Sequence, residues 1–252
     1  MAPIVTLLTD FGTADSYVAE MKAILLSRDP AVIIVDVSHS IALGDVRSAA
    51  YLLGRSWHHF PPGTTHLCVV DPGVGTSRRA LAVAAADHFF VGPDNGVLTP
   101  ALDAEEPVEI VALSVPMGAA PTFHGRDLFA PAAARIAEGE SLEYLGESAI
   151  KPVRIEFPKV SRKGNTVRGE VIYVDRFGTL VTNIDGSLLG SARSVCLPGT
   201  VVIPLARTFG DVTSGDAVAF LGSGGTVEIA VRDGRADTVL GLGIGTKVVL
   251  RG

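Results

Sequence analysis

The sequence has little of what marks several functional classes. Among 252 residues there are two cysteines, Cys68 and Cys196. Both lie in apolar, strand-like runs, HLCVV and SVCLP. They read as buried thiols, and neither a disulfide framework nor a Cys-x-x-Cys metal site is available. Basic residues are in deficit, with 21 Lys+Arg against 27 Asp+Glu and a formal net charge of −6. That balance argues against a nucleic-acid binder, whose footprint is a basic stripe. No uncharged apolar run is long enough to span a bilayer. The opening residues MAPIVTLLTDF carry no basic stretch and meet Asp10 too soon for a signal peptide. The expectation is a soluble cytoplasmic protein that engages neither membrane nor nucleic acid. G-x-x-x-x-G-K-[ST], G-x-G-x-x-G and His-x-x-x-His are all missing, so the common phosphate loops and a helical zinc pair are not offered.

What is present is apolar patterning. The chain is 47% hydrophobic and 19% charged, which argues against disorder and allows a sizeable core in one large or two smaller domains. The first half alternates. Residues 4–9 (IVTLLT) read as a buried strand, 32–37 (VIIVDV) as a second strand and 66–70 (HLCVV) as a third. Residues 15–28 put Tyr17, Val18, Met21, Ile24 and Leu25 on one helical face, and residues 45–57 do the same with Val46, Ala49, Ala50, Leu53 and Trp57. A hairpin is expected over 80–91 around Asp87-His88, and a last helix over 126–138 ending at Gly139. After the stretch 151–164 no helical period is convincing. Short apolar runs at 168–174, 179–184, 200–205, 217–221, 225–231 and 246–250 alternate with Gly, Asp and Ser. The expected architecture is an α/β N-terminal domain over 1–158, with a mostly parallel sheet covered by helices, then a small all-β barrel over 165–252.

Ligands of open parallel sheets sit beyond the carboxyl ends of the strands. Here those ends carry Asp10 and Asp15 in TDFGTAD, Asp36 and His39 in DVSH, and Asp71 in DPGVG, followed by Arg78 and Arg79. Further loops carry Gly92-Pro93-Asp94-Asn95-Gly96 and Phe123-His124-Gly125-Arg126-Asp127. Taken singly, each has an ordinary structural explanation: Asp10 and Asp15 as helix caps, Asp71-Pro72-Gly73 and Asp94-Asn95-Gly96 as turns, His124 as a satisfied loop histidine. Their coincidence points to a ligand with a vicinal diol and a positive charge. Carboxylates accept ribose hydroxyls and repel phosphate.

Together these segments resemble the S-adenosyl-L-methionine (SAM) hydroxide adenosyltransferase family, the adenosine-forming SAM hydrolases related to fluorinase and chlorinase. The resemblance runs through TDFGTADSYVAEMKA (9–23), VSHSIALGDVRSAAYLL (37–53), VVDPGVGTSRRALAV (69–83), GPDNGVL (92–98), TFHGRD (122–127), VDRFGTLVTNI (174–184) and GSGGTVEIAV (222–231). It implies an α/β domain followed by a β-barrel, assembled as a homotrimer with sites shared between neighbouring subunits. It implies hydrolysis of SAM to adenosine and methionine, with SAM as substrate and no further cofactor or metal. The family's water-activating triad falls on Asp71, Arg78 and His124. Asp10 corresponds to the ribose-binding aspartate, and Asp15 and Asp175 to carboxylates near the methionine amine. Phe209 corresponds to an aromatic stacked on adenine, and Ser223, Glu228 and the backbone around Val231 to further contacts.

The sequence departs from the pattern in places. Thr179 stands where the family usually has Asn, with Asn183 nearby as a substitute. Gly125 stands where the halogenases have their halide-site serine, and Asp71-Pro72 replaces their Tyr-Pro. A tight hairpin over 84–92 stands where they carry an insertion. These differences favour water over halide as the nucleophile. Bringing the pKa of water from 15.7 to about 7 takes roughly 12 kcal/mol. One arginine about 4 Å away supplies on the order of 4 kcal/mol at an effective dielectric near 20. Proton removal during attack is therefore expected, with His124 as base, Arg78 as electrostatic stabiliser and Asp71 orienting water.

Overall fold

The computed structural model describes residues 2–104 and 108–251. The chain divides into two compact units, Met1–Ile155 and Glu156–Gly252. In the first, β1 (Ile4–Thr9), α1 (Tyr17–Arg28), β2 (Ile33–Ser38), α2 (Val46–Ser56) and β3 (Thr65–Val69) alternate as the periodicity predicts. They are followed by β4 (Ala80–Ala85), β5 (His88–Pro93), the short α3 (Thr99–Leu102), β6 (Glu109–Leu113), α4 (Ala130–Ala137) and β7 (Gly146–Ser148). The Asp45 carboxylate starts α2 by accepting from the Ser48 N–H at 3.0 Å.

These strands form one sheet in the order β2-β1-β3-β5-β4-β6-β7. It is mixed rather than mostly parallel. β2, β1, β3 and β5 pair in parallel, whereas β5–β4, β4–β6 and β6–β7 are antiparallel. The reason lies in the turn joining β4 to β5. Ala86 and Asp87 both adopt positive φ, 49° and 60°, the two-residue geometry that folds a strand straight back on itself. Strands β6 and β7 lack the length and patterning that expose the others in the sequence.

Both faces of the sheet are buried. Val5, Leu7, Leu67 and Val69 pack with Met21, Leu25 and Phe129 from the α1/α4 side. Leu8, Cys68 and Val70 pack with Leu53, Phe90 and Leu98 on the α2/α3 side. The alternation along β1 and β3 sends successive residues to opposite faces. Burial pushes the Cys68 thiol up and leaves it inert. Among the described residues no helix is long and apolar enough to cross a membrane.

The second unit contains β8 (Ser161–Lys163), β9 (Thr166–Val174), β10 (Leu180–Asp185), β11 (Ser194–Cys196), β12 (Val202–Pro204), β13 (Ala217–Leu221), β14 (Thr226–Val231), α5 (Ala236–Leu240) and β15 (Lys247–Arg251). The sheet runs β12-β11-β15-β9-β10-β14-β13, with β8 beside β9. A bridge between Leu205 and Ala219 draws its two ends together into a nearly closed, barrel-like sheet around Val171, Leu180, Ile184, Ile229 and Val248. The helix α5 and the three-residue β8 are too short to show a period, and sequence reading misses both, whereas β11 falls in the strand-like run SVCLP.

One polar chain crosses the α2/α3 side of the first unit. Thr6 Oγ1 lies 2.8 Å from His66 Nδ1, and His66 Nε2 lies 3.2 Å from His88 Nδ1. His66 is stacked on Phe90. Burial, reinforced by His88, lowers the His66 pKa to about 3. The unfolded chain therefore binds a proton near pH 6.5 that the folded chain refuses. Stability contributed by neutral His66 is present above pH 6.5 and is lost as pH falls. The unfolding free energy, followed by chemical denaturation at a series of pH values, should decline by up to about 1.4 kcal/mol per pH unit below 6.5 on this account. The slope should shrink in His66→Gln.

Candidate active site

The end of β3, the entry to β4 and the approach to α4 bring three predicted residues together. Asp71 follows β3 after Val70, Arg78 lies just before β4, and His124 precedes α4. Arg78 Nε donates to Asp71 Oδ1 at 3.0 Å and Oδ2 at 2.9 Å, and Arg78 Nη2 also reaches Oδ2. The same Nη2 lies 2.9 Å from His124 Nδ1. The ion pair is well shielded: the Arg78 side chain is 10% exposed and that of Asp71 5%. The guanidinium carbon sits 5.1 Å from the Phe129 ring centroid, so one face of the cation is covered by an aromatic ring.

Guanidinium has donors and no acceptor. His124 Nδ1 must therefore accept, and a neutral His124 carries its proton on Nε2. Burial, followed by the charge of Arg78, holds the His124 pKa below its ordinary value, although Asp71 and Asp127 pull the other way. The ring is neutral at neutral pH. Arg78 thus fixes the tautomer of the histidine, and burial, with Arg78 second, favours its neutral form.

The backbone at His124 is unusual. Gly125–Phe129 form a wide helical turn in which the Ala130 N–H reaches back to the Gly125 carbonyl, five residues earlier. Such turns interrupt α-helices mostly at functional sites. Gly125 is packed so closely that a Cβ would lie 3.1 Å from the Phe123 ring, 3.2 Å from Met21 Sδ and 3.3 Å from the Phe11 ring. A side chain at this position would be crowded by Phe123, Met21 and Phe11. Asp71 and His124 border a cavity of about 390 Å³ together with Phe11, Tyr17, Phe123, Glu20 and Arg126. Arg126 is tied to Glu20 at 2.9 Å and to Asp127 at 2.6 Å. Sequence reading missed Phe11, Tyr17, Glu20 and Arg126 as lining residues; Tyr17 was expected on the buried face of its helix, yet its ring is 47% exposed.

Asp10 follows β1, and its Oδ2 accepts from the Gly44 N–H at 2.8 Å. It caps no helix: neither Asp10 nor Asp15 bonds the start of α1, whose first residue follows Ser16. Asp15 is exposed. Neither aspartate lines the cavity beside His124.

In the second unit, Asp175, Thr179, Phe209, Ser223, Glu228 and Val231 all border one open cavity of about 1000 Å³. Asp175 also does what a turn aspartate does, its Oδ1 accepting from the N–H groups of Phe177 at 2.9 Å and Thr179 at 2.8 Å. Phe209 packs on Phe220 with ring centroids 4.7 Å apart, and its short turn is held by the reciprocal caps of Thr208 and Asp211. Asn183 is not part of this group. Its Nδ2 donates to the Pro158 carbonyl at 2.7 Å and its Oδ1 accepts from Glu170 N–H at 2.8 Å. Both ends of the amide are spent on the backbone, so Asn183 does not stand in for the asparagine missing at Thr179. Sequence reading missed Arg235, whose guanidinium joins the cavity wall while bonding the Arg176 carbonyl at 2.7 Å. Among the described residues, no group of three or more His, Cys, Asp and Glu side chains is arranged to hold a metal ion.

Comparison with known proteins places the chain in a family. The family model described as "SAM hydroxide adenosyltransferase N-terminal domain" matches residues 5–146, and its C-terminal counterpart matches residues 169–249. A relative from Thermus thermophilus named (R)-S-adenosyl-L-methionine hydrolase is 42% identical over 254 residues, covering 96% of this chain and 97% of its own. A fluorinase from an Actinoplanes species is 30% identical, with 90% of each chain covered. The crystal structure of an uncharacterized conserved protein from Thermotoga maritima superposes with a TM-score of 0.91 at 34% identity, covering 98% of this chain and all of that one. With both halves matched in order, this chain belongs to the SAM hydroxide adenosyltransferase family.

Proposed function

We propose that this protein hydrolyses SAM, in the (R)-sulfonium form named for its relative, to adenosine and L-methionine. The observation that carries the reading is the sharing of Arg78 between Asp71 and His124 at the edge of a cavity, within a chain of this family. Water attacks the ribose C5′ carbon, the C5′–S bond breaks, and its electron pair neutralises the sulfonium as methionine leaves. One proton is released. The sulfonium is already an activated leaving group, so no acid is required at sulfur, and no cofactor enters the reaction.

The geometry favours a division of labour different from the one expected for His124 as base. With Nδ1 occupied by Arg78 and the proton on Nε2, His124 is a hydrogen-bond donor, suited to holding water rather than deprotonating it. Arg78 is already neutralised by Asp71, which weakens it as a stabiliser of free hydroxide. Asp71 is the acceptor-only group of the three. A carboxylate has about four lone-pair directions, and the three Arg78 contacts leave room for a water proton. Water acquires positive charge as its bond to C5′ forms, and the proton passes to Asp71 late in attack.

Carboxylates at Asp10, Asp15 and Asp175 suit the diol and cation of the substrate, and Phe209 offers a face for adenine. We further infer a homotrimer in which the first unit of one copy completes its site with the second unit of a neighbour. The division of the expected ligand contacts between two compact units, each with its own open cavity, supports this. Halide use is disfavoured by Asp71 and by the rings that close over Gly125.

Purified protein incubated with (R)-SAM should yield adenosine and methionine, with no 5′-halo-adenosine when fluoride or chloride is added; absence of turnover on long incubation would sink the reading. Asp71→Asn should lower kcat by roughly 10²- to 10⁴-fold, the range of general-base catalysis, while adenosine binding measured by calorimetry survives. His124→Ala should lose about 100-fold through misplaced water, and His124→Asn, whose Oδ1 can still accept from Arg78, should retain more. The kcat–pH profile should stay flat through pH 6.5 and fall only below it, where protonation of His124 Nδ1 breaks its contact with Arg78.

A further inference from the structure

The segment Gly92-Pro93-Asp94-Asn95-Gly96 has no place in the chemistry above, yet it is bonded to both sides of the Asp71–Arg78 pair. We propose that Asp94 and Asn95, together with Arg79, are positioning residues that hold Asp71 and Arg78 in register from behind. The proposal rests on the hydrolase reading of that pair.

On the front side, Asn95 Nδ2 donates to the carbonyl of Val70 at 2.8 Å, immediately before Asp71. The Asp94 N–H donates to the carbonyl of Arg79 at 2.9 Å, immediately after Arg78. One dipeptide therefore grips the backbone next to each member of the ion pair. Asn95 is itself fixed by accepting from the Val97 N–H at 3.1 Å.

On the back side, the Asp94 carboxylate is 8% exposed as a residue and is divided between two partners. Its Oδ2 accepts from Arg79 Nε at 2.7 Å, and its Oδ1 accepts from the Val153 N–H at 2.7 Å. Arg79 extends the grip with Nη1 on the Ile150 carbonyl and Nη2 on the Lys151 carbonyl, both at 3.0 Å. The segment that follows β7, residues 150–153, is thereby strapped to the loop that aligns Asp71 and Arg78. Gly96 allows the close approach: a Cβ there would lie 2.5 Å from Ile155 Cγ1. A planar fork with three bonds in three directions is a task that lysine cannot perform.

The consequence is geometric. Arg78 must reach two partners at once, so a small backbone shift at residue 70 or 79 breaks one contact or the other. Displacements near 1 Å at reacting groups cost about 100-fold in rate. A brace that merely stabilised the fold would change Tm and leave the alignment of Arg78 alone.

The test uses the full-length protein with Asp94→Asn, the milder Asn95→Ser, and Arg154→Ala as a control. Arg154 ties the same strap to the Leu102 carbonyl at 2.8 Å and to Asp103, but contacts neither flank of the pair. Steady-state kinetics with (R)-SAM are combined with an NMR titration of the His124 ring, which needs no substrate. Asp94→Asn and Asn95→Ser should lower kcat roughly 10- to 100-fold at unchanged KM, in the range of misalignment effects. They should also raise the His124 pKa toward 6.5 as Arg78 moves away. Arg154→Ala should lower Tm alone. An unchanged His124 titration in both loop variants, or rate losses that simply track Tm across all three, would overturn the proposal. A wild-type protein that leaves SAM intact while the His124 titration responds as described would refute the hydrolase reading and keep the brace.

Discussion

Arg78 is one cation with two obligations. Its guanidinium neutralises a carboxylate shielded from solvent and, through the same Nη2, donates to the Nδ1 of a buried histidine. Because guanidinium stays charged and only donates, the direction of every bond in the cluster is fixed. Asp71 must accept, His124 Nδ1 must accept, and the remaining imidazole proton must sit on Nε2. The acid–base character of the centre follows from this wiring more than from the identities of the three side chains.

The scaffold is built to hold that wiring. β1 and β3 are central strands, hydrophobic on both faces, so the loops at their carboxyl ends leave a rigid platform. The wide turn at Gly125–Phe129 re-aims His124 toward Arg78 and brings Phe129 beneath the guanidinium. Behind the pair, the Asp94–Asn95 loop has its polar arms engaged with backbone and with the Arg79 guanidinium. Its bonds read as support for alignment, consistent with the general need for reacting groups to be held within fractions of an ångström.

The second unit has one open cavity that gathers the residues expected there for recognition. Asp175 serves its own turn with one oxygen, and Phe209 is set by a capped turn against Phe220. An aromatic face and carboxylates in one open cavity suit a flat base and hydroxyl groups. The expected reactive and recognition residues thus fall in two different compact units of the chain.

Periodicity alone made much of the architecture legible. The alternation in β1, β3, α1 and α2 is a local property and appears where the sequence predicts it, and the hairpin turn falls at Ala86-Asp87, one residue before the expected Asp87-His88. The motifs also pointed to Asp71, Arg78 and His124 as a group. What no local signal carried was the pairing of β4 with β6 and of β6 with β7, since tertiary packing chooses the partner of each strand. The short β8 and α5 were equally invisible, being too brief to show a period. The engagement of Asn183 with Pro158 and Glu170, and the placement of the His124 proton, were decided only when residues far apart in sequence came within hydrogen-bond distance. The sequence supplies the donors and acceptors; tertiary structure decides which of them meet, because a hydrogen bond depends on distance and direction and residue type sets neither.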